Sequence, residues 1–365
     1  MYTRSHPVLF TLLAATRRRA VTRVGGTLLV HGTDAYRHAL TRVPLDRTAA
    51  GTTGGAAREL STGGALFDQA GAGHRDTRRT IADGLGAPGV RRLRPVWEEV
   101  LARRLAPLAA GRTVDLVPLA RELAGATVCA LLAVDAGPED VAEAAARAAA
   151  TAVRDHLPGP RLPGTARRAA AATARLQALL GAGPATAPGG AGESPALRAM
   201  LAVAAVNTTV AALPRAAAWC ADAALWDQAA DDRLRPVLAG ELLRALAPSP
   251  LLPRAAAADA DLDGCPVRRG DRLILVARHA ARAHTDPPDA LDPAPPAVAQ
   301  LVFGAGGHAC PGARPARAQL EDALAALAPY RPAVVRAVAD RSSALPAWRS
   351  LTVRATTTSP AEDDR

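Results

Sequence analysis

The chain has 365 residues, 49% of them apolar and 21% charged, which is ample for a large buried core and excludes a disordered or collagen-like polymer. Its formal net charge of +10 rests on arginine alone, since no lysine occurs, and together with 30 Gly and 30 Pro this is the bias that GC-rich codons produce. Aromatic residues make up only 3% and the arginines are scattered, whereas a nucleic-acid-binding face concentrates positive charge and interleaves rings for stacking, so a nucleic-acid partner is not expected.

The first apolar run, residues 8–15, is too short to span a bilayer and leads into Arg17, Arg18 and Arg19 without a small-residue cleavage site. A cytoplasmic protein with no membrane segment is expected. Residues 21–40 predict a β-hairpin that turns at Gly25 and Gly26 into Leu28-Leu29-Val30, followed by a helix over 35–41. The Gly- and Thr-rich stretch 48–73 predicts a break in regular structure. Beyond it, a helical region over 74–110 is punctuated at 84–89, and helical apolar spacing returns over 114–134 and 138–153. Flexible connections at 158–163 and 181–192 bracket one more helix. The apolar stretch 195–227 predicts a long helix kinked at Pro214, which lacks an N–H and crowds the preceding turn. Another helix is expected over 231–246, then short strands over 266–276 that turn at Arg269-Gly270-Asp271. A proline-laden irregular stretch, 286–298, precedes the last helix, 310–328. A strand-like end at 351–356 leads to a polar tail, 357–365, that should be disordered. The pattern is mainly α with small β-sheets, read as one unit over 1–356 without internal repeats.

The four cysteines, Cys129, Cys220, Cys265 and Cys310, are far apart and form no CxxC pair, which argues for a reducing compartment and against a zinc or dithiol site. Cys310 stands apart because of its setting, Phe303-Gly304-Ala305-Gly306-Gly307-His308-Ala309-Cys310-Pro311-Gly312. Glycines there allow positive φ and let the backbone approach a flat ligand closely. Backbone N–H groups at the head of a helix can stabilise a sulfur anion, so Cys310 suits a thiolate metal ligand. The plain alternative is a glycine-rich turn in front of a helix with a buried cysteine.

The run resembles the haem-binding loop of the cytochrome P450 family, FGxGxHxCxG, at all six fixed positions, a match expected by chance roughly once in a million such chains. The resemblance implies a cytochrome P450 fold, haem b, and iron bound by the Cys310 thiolate, with Phe303, Gly304, His308 and Gly312 completing the cofactor loop. A thiolate in that position favours O–O cleavage. Other positions fit in order. Glu241 and Arg244 match the family's ExxR pair, whose i, i+3 spacing puts both on one helical face. His74 and Arg78, one helical turn apart, and Arg254 fall where the family places partners for the haem propionates. Without the cysteine loop, these three would read as a solvated basic patch.

Two departures stand out. Where the family carries AGx(D/E)T in its long helix, this chain reads Ala204-Ala205-Val206-Asn207-Thr208. Thr208 keeps the alcohol, Asn207 replaces the acid, and an amide cannot titrate although it can orient a water. An ordinary buried polar residue is the rival reading of Asn207. No arginine lies between Asp286 and Gln300 to complete the Glu241 and Arg244 network, which predicts weaker support of the proximal side. Gln319 stands where an acid is common. The resemblance thus implies a haem-thiolate monooxygenase that hydroxylates a small apolar substrate of the secondary-metabolite type, free or carried on a carrier protein. Electrons would come from a separate ferredoxin or flavodoxin docking near Arg314, Arg317, Arg91 and Arg92. Loss of the acid leaves open an atypical oxidation such as coupling, cyclisation, dehydration or peroxide-driven chemistry. A silent helper relative is the remaining reading, and the intact cysteine loop opposes it. The substrate pocket is expected to be apolar and formed by 46–73, 155–195 and the long helix around 203–210.

Overall fold

The computed structural model describes residues 7–61, 66–156, 164–181 and 194–356. The tail 357–365 and much of the two predicted connections lie outside the described residues. Helices dominate, and three small sheets lie among them. The hairpin pairs β1 (Val21–Val24) with β2 (Thr27–Val30) in antiparallel register, with Gly25 at φ +57° in the turn. It belongs to a five-stranded sheet of order β1-β2-β8-β5-β3, in which β3 is Leu45–Asp46, β5 is Leu252–Ala256 and β8 is Arg272–Leu275. Strand β2 runs parallel to β8, so segments far apart in the sequence meet in one sheet. A second sheet has the order β4-β10-β9, with β4 at Thr113–Asp115, β9 at Ala333–Asp340 and β10 at Ala347–Arg354. The remaining pair is β6 (Ala260–Leu262) with β7 (Cys265–Val267).

The helical core is built around Pro195–Asp222, which packs on the helices Leu116–Leu132, Pro138–His156, Thr165–Leu180 and Arg235–Leu246. Ser194 caps it by accepting from the Leu197 N–H at 3.1 Å, and Pro195 occupies the first turn, where no N–H is missed. It is buried along most of its length, which explains why it is apolar all round. Among the described residues it is the one helix long and apolar enough to cross a membrane, and it sits in the core. The helix runs continuously through Pro214 and stops at Asp222, earlier than the apolar stretch suggests, because a second helix, Trp226–Ala230, turns the chain away. Asp115 does a similar service for Leu116–Leu132: its carboxylate accepts from the N–H groups of Val117 and Leu351 and from the Ser350 hydroxyl, joining helix start and second sheet.

One expectation is overturned. The Gly- and Thr-rich segment does not break regular structure throughout, for Thr53–Ser61 is a helix. Its glycines serve close packing. A Cβ on Gly54 would stand 1.9 Å from the Arg47 carbonyl oxygen, and one on Gly55 would stand 2.2 Å from that of Ala49. Tertiary contact has overridden poor intrinsic propensity.

Candidate active site

The Cys310 loop is held by its own backbone. The Gly304 N–H donates to the Leu301 carbonyl at 2.9 Å, Ala309 to Gly306 at 3.1 Å, and Cys310 to Phe303 at 2.7 Å. Gly304 and Gly306 take φ of +78° and +70°, a conformation that side chains resist, so the motif's glycines are required by the turn itself. The helix Ala313–Leu327 starts just beyond, with Gly312 at its N-cap. Arg317, on the first turns of that helix, lies over the Phe303 ring at 4.6 Å and pins the loop from outside.

Cys310 lines a cavity of about 460 Å³, in the range of small-molecule sites. Burial pushes its thiol above the ordinary range, and the Gly312 N–H, Arg78 and Arg317 oppose that shift by favouring the anion. A metal ion bound at this sulfur would supply the positive charge that lets the thiol release its proton to water.

One end of the cavity is cationic. His74 is buried, its ring 3.8 Å from that of His308, and among the described residues its Nε2 has no hydrogen-bond partner. Arg78 donates to the Ala309 carbonyl at 2.6 Å, which ties its helix, Gly71–Leu85, to the cysteine loop. Arg254, on β5, donates to Thr53 Oγ1 at 2.9 Å and to the Pro253 carbonyl at 2.8 Å, while its Nε is buried without a partner among the described residues. Burial, then the neighbouring Arg47, lowers Arg254 to about 10. Burial and the surrounding cations lower His308 to about 3. His74, Arg78, Arg254 and His308 therefore all line the same cavity. Arg47 joins them and was not foreseen, because nothing in its local sequence distinguishes it among so many arginines.

The long helix forms the facing wall with Ala204, Ala205, Asn207, Thr208 and Thr209. Asn207 is buried, and its Nδ2 donates to the Val203 carbonyl at 2.7 Å. Thr208 donates to the Ala204 carbonyl at 2.8 Å. Both are thus bonded back to the preceding turn, the pattern of polar residues inside helices, with the Asn207 Oδ1 left as an acceptor. Gln319, a second residue whose part the sequence did not show, donates to Thr127 Oγ1 at 3.0 Å and accepts from Thr209 at 3.4 Å, linking three helices beside the cavity. Ala148, Ala149, Leu176, Met200 and Leu201 continue an apolar lining. Of the expected pocket stretches, 46–73 and the long helix contribute, and the described part of 155–195 does so through Thr173 and Leu176.

Glu241 and Arg244 do not reach the cavity. Their side chains are almost wholly buried and paired at 2.6 Å. Arg244 also donates to the carbonyls of Ala281, Asp286 and Pro287, and Glu241 accepts from the Ala294 N–H at 3.2 Å. Backbone groups of the proline-laden stretch thus stand where an arginine was missed. Arg91, Arg92 and Arg314 are exposed, whereas Arg317 is half-buried and engaged with Phe303.

No family model matches the chain. In sequence it is 39% identical over 103 residues to 20-oxo-5-O-mycaminosyltylactone 23-monooxygenase of Streptomyces fradiae, covering 28% of this chain and 24% of that protein. It is 42% identical over 101 residues to the vitamin D3 dihydroxylase of Streptomyces griseolus, covering 27% and 25%. The matched stretch spans about a quarter of the length of these curated relatives. In structure, a Mycobacterium marinum cytochrome P450 in complex with pseudoionone superposes with a TM-score of 0.76 at 20% identity, over 96% of this chain and 95% of that one. P450BioI, solved with a ligated acyl carrier protein, gives 0.75 at 17% identity over 97% and 99%. The chain thus has the fold of the bacterial cytochromes P450 along nearly its whole length, and across about a quarter of it the sequence is similar to Streptomyces cytochromes P450.

Proposed function

We propose that the protein is a haem-thiolate oxidoreductase of the cytochrome P450 type that hydroxylates a small apolar, secondary-metabolite-type molecule with dioxygen and with electrons from a separate ferredoxin or flavodoxin. The observation that supports it best is the Cys310 loop on one wall of an apolar cavity whose end gathers cations. The residues suit the group. His74 Nε2 and Arg254 Nε are buried donors in want of acceptors, which the carboxylates of haem b supply, and the soft Cys310 sulfur suits iron. Cys310 would ligate the metal, with His74, Arg78, Arg254 and His308 on the carboxylates and Phe303, Gly304 and Gly312 shaping the loop beneath. Bound there, haem supplies a thiolate-ligated iron at which dioxygen is activated.

The chain's own residues do the rest. The Ala, Leu and Met lining excludes water and holds an apolar substrate by contact area. The Thr208 hydroxyl can donate to or accept from a water at the facing wall, and Asn207 can orient one through its Oδ1 without exchanging a proton. Arg91, Arg92 and Arg314 offer an exposed basic face to an acidic electron carrier. The acyl carrier protein bound to P450BioI supports a carrier-borne substrate as one form of delivery.

A second reading has one observation in its favour. No carboxylate from the long helix lines the cavity among the described residues, and Asn207 is bonded into its own helix, so proton delivery differs from that of a typical family member. This suits coupling, cyclisation, dehydration or peroxide-driven oxidation, in which the substrate or peroxide brings the proton. Product analysis with dioxygen and reductant against peroxide separates the two readings.

The test of both is haem. The purified protein should carry haem in equimolar amount and give the thiolate-type spectrum when reduced under carbon monoxide. Cys310→Ser should abolish that spectrum while leaving the fold intact by circular dichroism. A colourless wild-type protein after haem supplementation, or an unchanged spectrum in Cys310→Ser, refutes the assignment.

A further inference from the structure

Arg47 lines the cavity half-buried, and among the described residues its guanidinium has no acceptor. The neighbouring Asp46 carboxylate does not serve it, being bound by the Thr48 N–H and hydroxyl at 2.8 and 2.9 Å. The Arg47 backbone is fixed from behind by the start of the Thr53–Ser61 helix, which closes on its carbonyl only because residue 54 is glycine. Thr53, one residue earlier, holds Arg254. A single helix start therefore sets two arginines at the same end of the cavity.

The donors there are unequally committed. Arg78 spends Nη1 on the Ala309 carbonyl, and Arg254 spends Nη1 on Thr53 and Pro253. Among the described residues, the side-chain donors of Arg47 have no partner. Its charge lowers the proton affinity of Arg254 and His74, so it stands within the field of both. Cations gathered in a partly desolvated cavity are stable only when an anion joins them.

We propose that Arg47 is a further positioning residue of the cofactor site, whose guanidinium takes a carboxylate of the haem and governs how firmly the cofactor is retained. This rests on the haem reading above. A carboxylate on the substrate is the other source of the same chemistry, and the test separates the two.

Haem-loaded wild type, Arg47→Gln and Arg47→Lys are mixed with excess apomyoglobin, and haem transfer is followed by absorbance. Arg47→Gln should lose haem roughly tenfold faster, equivalent to about 1.4 kcal/mol, and Arg47→Lys should fall between. With haem dimethyl ester, whose carboxylates are blocked, wild type and Arg47→Gln should release it at the same rate. Equal loss of native haem by the two proteins overturns the proposal, as does a difference that persists with the diester, which would mark a merely structural role. Equal loss combined with weaker binding of a long-chain carboxylic acid to Arg47→Gln, read from the Soret shift, overturns it in favour of a substrate carboxylate. Failure of the wild type to take up haem refutes the cofactor assignment instead, so the two failures are distinguishable.

Discussion

Asn207 concentrates the mechanistic question in one atom. Its Nδ2 donates to the Val203 carbonyl at 2.7 Å inside a buried turn, so the side chain is placed by the helix and cannot release a proton at neutral pH. An aspartate there keeps that bond only while protonated, and burial favours the protonated form. Asn207→Asp thus installs a neutral acid beside Thr208 with little change of shape. General acid–base catalysis is worth roughly 10²–10⁴-fold, so even a fraction of it is measurable. If hydroxylation by dioxygen is limited by proton delivery, Asn207→Asp should form product about tenfold faster or more, with less reductant wasted as peroxide. Product formation that is unchanged, slower or redirected to another product favours the atypical oxidation.

Among the elements, the proximal stretch 286–298 shows how a missing residue is replaced. Arg244 is fully buried, and its donors go to Glu241 and to three backbone carbonyls. Arg244→Met strands the Glu241 carboxylate with the Ala294 N–H as its remaining partner, which should cost about 3–5 kcal/mol. The double variant Glu241→Leu with Arg244→Met should recover part of that loss, because no charge is then left alone. Denaturant midpoints of the three proteins check this, and a double variant less stable than Arg244→Met counts against it. The same scale explains what the sequence could show. The cysteine loop was legible because each glycine and the cysteine is fixed by local backbone geometry, and the long helices because their apolar spacing is regular. The Thr53–Ser61 helix was not, since its glycines are dictated by the carbonyls of Arg47 and Ala49, contacts that no local pattern announces. Strand β9 was missed because none of its residues is fully buried and their burial does not alternate, and β5 because Pro253 argues against a strand. Arg47 and Gln319 owe their roles to neighbours remote in sequence.

Across the whole molecule, three distant parts of the chain meet at a buried pair of histidines, His31 at the end of β2 and His279 in the short helix Ala277–Ala280. The Thr16 hydroxyl donates to the Leu12 carbonyl at 3.0 Å, so it accepts from His31 Nε2 at 3.1 Å. His31 Nδ1 is then left without a proton and accepts from the Nδ1–H of His279 at 2.9 Å. This chain of donors ties the N-terminal helix Pro7–Thr16 to the first sheet and to the segment behind β8, and it holds only while His31 Nδ1 carries no proton. Burial, with His284 nearby, lowers His31 to about 4, and burial with His284, His31, Arg278 and Arg17 lowers His279 to about 3. The unfolded rings titrate at about 6.5. Above that pH neither state binds the proton and the contribution is complete. Below it the unfolded chain takes up protons that the folded one refuses, so stability falls as pH drops from about 6.5 toward 4. Both rings contribute to the loss, and most carboxylates do not yet titrate in the upper part of that window. His279→Asn, which keeps an amide donor for His31, should be less stable than wild type at pH 8 and show a flatter decline between pH 6.5 and 5. Urea midpoints measured across that interval decide it, since parallel slopes for the two proteins would place the pH dependence elsewhere.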